Sequence, residues 1–92
     1  MDRITFEFSS EQLEQLDIIL DLALKQLGRK FVHEIMEIDE AIKHGELTKL
    51  QIVNLQYCLD VVLTRCGKSV GVICLMLDHM ITKAVATARE AA

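Results

Sequence analysis

The chain has 92 residues, enough for one domain with a real core but small enough that most helices keep one face wet. It is 51% hydrophobic with no Trp, one Tyr and three Phe, so its apolar mass is aliphatic and intrinsic disorder is excluded. A net charge of −4 is the wrong sign for a broad nucleic-acid surface, and the absence of Pro with only four Gly favours long helices over a many-turned β architecture.

Residues 3–8 alternate, with Ile4, Phe6 and Phe8 on one face and Arg3, Thr5 and Glu7 on the other, which is the period of a strand. A helix start follows: Ser9 as N-cap, Gln12 as its capping-box answer and Phe8 stapled to Leu13. This first helix is predicted over 10–27, closed by Gly28 with Lys25, Arg29 and Lys30 where positive charge suits a helix C-terminus. The second, over 30–44, carries one narrow stripe of Phe31, Ile35, Ile38 and Ile42 and stops at His44-Gly45-Glu46. Thr48, Gln51, Leu47 and Ile52 then repeat the cap-and-staple signal and open a third helix over 48–66. A fourth, over 69–89, has Val70, Ile73, Leu77, Met80, Ala84 and Ala88 on one side, with Asp78, His79, Thr82 and Lys83 mostly opposite.

The two halves align without a gap at an offset of 39. Gln12/Gln51, Leu16/Leu55, Leu20/Leu59, Asp21/Asp60, Leu24/Leu63, Gly28/Gly67, Asp39/Asp78 and Ile42/Ile81 are identical, and Ser9/Thr48, Leu13/Ile52 and Arg29/Lys68 are similar. Leucine matches alone mean little between amphipathic helices. The in-register capping Gln, the helix-ending Gly followed by a base and the two Asp pairs carry the weight. The expected fold is all-α, one domain over 1–92, a four-helix bundle of two tandem hairpins (8–45 and 47–92) with a short N-terminal strand.

Three cysteines, Cys58, Cys66 and Cys74, have no C-x-x-C spacing and sit within apolar helical pattern, so they read as buried thiols of a reducing compartment. The N-terminus carries no signal-peptide pattern, and the longest apolar run, residues 70–77, falls far short of the roughly 20 needed to span a bilayer. A cytoplasmic protein with no membrane span is expected.

His33, Glu37, Glu40 and His44 share one face of the second helix and include metal-ligand types, but that face lies opposite the apolar stripe and reads as solvated. No Glu-x-x-His motif of a di-metal bundle is present, and Glu34-x-x-Glu37 has no counterpart Glu-x-x-Asp. Folding back at Gly28 would bring Asp21 and Asp39 to similar heights, yet they fall on the flanks of the stripes rather than in a converging core. Gly67-Lys68-Ser69 imitates the end of a P-loop, but the Gly required five residues earlier is Val62 and a helix precedes it. No catalytic, metal or cofactor residues are therefore assigned, and no enzyme is expected.

The apolar residues exceed what a self-contained bundle needs. Ile18 and Leu22 fall on the far side of the first helix from Leu13, Leu20 and Leu27, and the third helix places Leu50, Val61 and Val62 away from Ile52, Leu59 and Leu63. A helix apolar on two sides must be covered on two sides, and the simplest second cover is another copy of the chain. A homo-oligomer, most simply a dimer, is expected through Ile18 and Leu22, with Ile4 and Phe6 of the strand as further interface residues. Residues 3–42 also resemble a ribbon-helix-helix DNA-binding module, with an alternating strand, a capped helix and Gly28-Arg29-Lys30 leading into a second helix. That resemblance implies Arg3, Thr5 and Glu7 as base-reading side chains on strands paired between two chains. Glu7, the long first helix and the acidic balance depart from it. The best-supported role is a non-catalytic interaction protein, a small oligomeric regulator or inhibitor of another macromolecule; a DNA-binding regulator and a small-ligand or metal-binding bundle are the alternatives.

Overall fold

The computed structural model describes residues 3–91. In chain order these form β1 (Arg3–Thr5), α1 (Ser10–Leu27), a 3-10 turn (Arg29–Phe31) leading into α2 (Val32–His44), β2 (Glu46–Thr48), α3 (Lys49–Arg65) and α4 (Lys68–Ala91). The chain is all-α with a minimal two-stranded sheet.

The helix starts are local chemistry. Ser9 Oγ accepts the Gln12 N–H at 3.1 Å while Gln12 Oε1 accepts the Ser9 N–H at 2.8 Å, and Thr48 and Gln51 repeat the exchange at 3.1 and 2.9 Å. Each box satisfies two donors that a helix N-terminus otherwise leaves orphaned. Thr48 is partly buried and Ser9 is exposed, so water replaces the lost bond less well at Thr48. Thr48→Ala is expected to cost about 1 kcal/mol, and more than Ser9→Ala, read from urea midpoints at constant slope.

The strand is shorter than its alternating sequence predicts, and it pairs within the chain. β1 runs antiparallel to β2, with Arg3 opposite Thr48, Ile4 opposite Leu47 and Thr5 opposite Glu46. The Phe6 N–H donates to the Gly45 carbonyl at 2.8 Å, and Gly45 adopts the left-handed φ of +78° that turns α2 into β2. β2 is three residues long, too short for a period-two signal, and its sequence reads only as the approach to α3. β1 thus has a partner inside the chain, where the ribbon-helix-helix resemblance implies one between chains.

One core joins all the elements. Leu16, Ile19, Leu20 and Ala23 of α1 meet Ile35, Ile38 and Ile42 of α2, Leu47 of β2, Leu55, Cys58, Leu59 and Val62 of α3, and Cys74, Leu77 and Ile81 of α4. α3 packs against each of the other three helices, and α1 also touches α2 and α4. At Gly71 a Cβ would stand 2.9 Å from Leu63 Cδ1, so this glycine lets α4 come close to α3. The 24 residues of α4, at about 1.5 Å each, account for the molecule's long dimension of 36 Å.

α4 also bears on the expectation drawn from run length. Over Lys68–Glu90 it is long and apolar enough, by length and composition, to cross a membrane, with a mean hydropathy of 1.5 in its most apolar stretch. Met80, Ile81, Ala84, Val85 and Ala86 extend the apolar average beyond the unbroken run of residues 70–77. A mostly buried core helix passes the same test, but only 22% of this stretch is buried, on the face of Gly71, Cys74, Leu77 and Ile81.

Candidate interaction surface

Among the described residues, eight large apolar side chains stand between 49% and 69% exposed: Ile18 on α1, Met36 on α2, Leu50, Val53 and Tyr57 on α3, and Val72, Leu75 and Met76 on α4. Leu50, Val53 and Tyr57 recur at i, i+3 and i+7 and make a stripe along the outer side of α3. The Tyr57 ring meets Phe31 edge to face at 5.7 Å, which extends the stripe toward the start of α2. Leu50 does not share the buried side of Val61 and Val62, as the sequence suggests; it is the most exposed of the eight. Of these eight, the sequence singles out Ile18 and Leu50 as surplus apolar residues and not Val53, Tyr57, Val72, Leu75 or Met76.

The four residues expected at a self-interface separate. Ile18 projects outward. Leu22 packs against the edge of the core, because the buried face of α1 is centred on Ile19 and Ala23 rather than on Leu13, Leu20 and Leu27. That rotation of roughly half a residue step brings Leu22 into contact and leaves Ile18 out. Phe6 is buried in its own chain's core, stacked on Phe8 at 5.4 Å, and Ile4 is half-buried at the strand edge.

The polar constellations resolve into local pairs. His33 meets Glu37 at 3.0 Å and His44 meets Glu40 at 4.0 Å, each along one helical turn and largely exposed. Among the described residues no group of three or more His, Cys, Asp or Glu side chains gathers closely enough to hold a metal. Asp21 pairs with Lys25 at 3.4 Å and Asp39 with Lys43 at 3.0 Å; the Asp39 carboxylate, by hydrogen bond and then by charge, pushes the Lys43 ammonium pKa up. In the second half, Asp60 and Asp78 line one small cleft with Gln56 and Leu75, and Gln56 Nε2 donates to Asp78 at 3.4 Å. Gly67 follows α3, so the P-loop imitation lacks its strand. Glu34 keeps one carboxylate oxygen buried without a hydrogen-bond partner.

The thiols are free and unequal. Burial pushes Cys58 from its ordinary 9.0 up to about 11 and raises Cys74 as well, whereas Cys66 is partly exposed at the end of α3. Two pKa units mean about 100-fold less thiolate at pH 8, so iodoacetamide is expected to alkylate Cys66 first and Cys58 only on unfolding. The linkage has a definite sign. Folded Cys58 keeps its proton where the unfolded chain has lost it, so its contribution is full below pH 9.0 and is lost as pH rises toward about 11. Cys58→Ala is expected to flatten the fall of stability over that window; an unchanged slope would show that the thiol titrates normally.

No protein family, curated protein or solved structure matches the chain.

Proposed function

We propose that the chain is a non-catalytic protein-protein interaction protein, a small oligomeric regulator or inhibitor of another macromolecule. The observation that carries this reading is the exposed apolar set on rigid helices, above all Leu50, Val53 and Tyr57 on α3 and Val72, Leu75 and Met76 on α4. Leaving such a side chain in water forgoes roughly 1.5–3 kcal/mol that a partner recovers by covering it. Single exposed leucines are ordinary on any protein, but apolar side chains grouped on adjacent helices mark a contact surface.

The reading includes an architecture of two tandem hairpins, 8–45 and 47–92. What supports it is burial that repeats at the sequence offset of 39. Leu16/Leu55, Ile19/Cys58, Leu20/Leu59, Ala23/Val62, Ile35/Cys74, Ile38/Leu77 and Ile42/Ile81 are buried in both members, and Met36/Leu75 are exposed in both. Several of these pairs differ in residue type, so shared environment supports the duplication independently of the sequence identities.

Site-specific photo-crosslinking in cells that make the protein tests the reading. A photoreactive side chain at Tyr57 or Met76 is expected to yield discrete adducts, while one at Lys25 yields none. The partner identified from those adducts should bind the purified chain and lose affinity on Leu50→Ser. Adducts at every position alike, or at none, would defeat the proposal.

A further inference from the structure

We infer that the flank shared by α3 and α4 seats a second copy of this chain, docked antiparallel about a two-fold axis crossing α3 midway between Lys49 and Asp60, near Val53 and Gln56. The inference rests on the interaction reading above and adds to it the occupant and the face.

Between α3 and α4 runs a groove of about 490 Å³ whose floor and walls include Ile52, Val53, Val85 and Ala86, with Lys49 and Arg89 at one end. The corresponding flank of the first half provides an internal comparison. There, between α1 and α2, a groove of about 300 Å³ presents Glu14, Asp17 and Lys43. At the same positions, offset by 39, the second half has Val53, Gln56 and Thr82. A helix-pair flank thus has no need to be apolar, and only the second one has lost its charges where the centre of an interface would lie.

The remaining charges are arranged for self-recognition. Lys49 and Arg89 lie at one end of the flank, and Asp60 and Asp78 line its continuation toward the other. Lys49 and Asp60 are 11 residues apart on α3. At 100° and 1.5 Å per residue they fall on one stripe, separated by about 16 Å along the helix. A copy turned end for end places its Asp60 over Lys49 and its Lys49 over Asp60, as an isologous interface requires. Among the described residues, none of Lys49, Asp60, Asp78 and Arg89 makes an ion pair within the chain. The same operation on α1 would be unfavourable, because Ile18 is flanked by Glu11, Glu14, Asp17 and Asp21.

The exposed area agrees in size. A folded monomer of 10.4 kDa is expected to expose about 5,400 Å², and this chain exposes 6336 Å². The excess of roughly 900 Å² compares with the ~800 Å² that each partner buries in a standard interface.

Charge exchange between two variants tests the seat. Lys49→Glu and Asp60→Lys, each alone, place like charges opposite one another twice per dimer, and each is expected to weaken self-association at least tenfold at low salt. An equimolar mixture restores opposite charges at both contacts, and native mass spectrometry is expected to find the heterodimer in preference to either homodimer. Ile18→Glu should leave the dimer intact. Variants that dimerise as well as the unmodified chain, or a mixture that stays monomeric, would overturn the inference. If the unmodified chain is itself a monomer while crosslinking at Tyr57 still captures a defined partner, the self-docking falls and the interaction reading stands.

Discussion

Leu16→Ala and Leu55→Ala are each expected to lower the unfolding free energy by about 3 kcal/mol, within the range of 2–5 kcal/mol for truncating a buried leucine. Both side chains are 1% exposed, at equivalent positions of α1 and α3, the two helices that face each other across the core. Each substitution removes transfer free energy and leaves a cavity that close-packed neighbours refill only in part. For a domain of this size the total stability is about 5–14 kcal/mol, so either change consumes a large fraction of it. Guanidinium denaturation followed by circular dichroism measures both. The proposed tandem hairpins predict similar costs at the two sites; a loss below about 1 kcal/mol at either would mean that the side chain does not sit in the core.

Phe6→Ala is expected to cost about 3–4 kcal/mol at every protein concentration. Phe6 is 5% exposed, stacks on Phe8 and holds β1 to the Gly45 turn through its backbone N–H. From the sequence, Phe6 is offered as an interface residue on a strand whose partner, within or between chains, is left open. The two placements predict different behaviour. Burial within one chain keeps the gap between the two melting temperatures constant on dilution, whereas a junction between chains makes the gap close as the dimer dissociates. Differential scanning calorimetry over a hundredfold range of concentration separates them.

What was legible in the sequence was the chemistry that acts within a few residues. Ser9 with Gln12 and Thr48 with Gln51 give their helix starts because each bond spans three residues, and Gly28 and Gly45 give stops because few other residues accept their positive φ. The helices accordingly fall within a residue or two of their expected ends, apart from the 3-10 turn before α2. The pairing of β1 with β2 was not legible, since it joins residues more than 40 apart through segments of three. The rotation of α1 was legible only to within half a residue step. Several neighbours share its buried arc, and small Ala23 lies at the arc's centre without standing out in the pattern. Of the surface, the surplus of apolar residues was readable and its location was not. Leu50 looks like a core residue until α3 is placed, and Gln56 and Asp78 acquire meaning only when α3 and α4 bring them together.

The most direct test is the solution mass of the unmodified chain by sedimentation equilibrium at micromolar concentration and moderate salt. The account predicts a species of twice 10.4 kDa that dissociates on dilution; a single 10.4 kDa species at every concentration would contradict it.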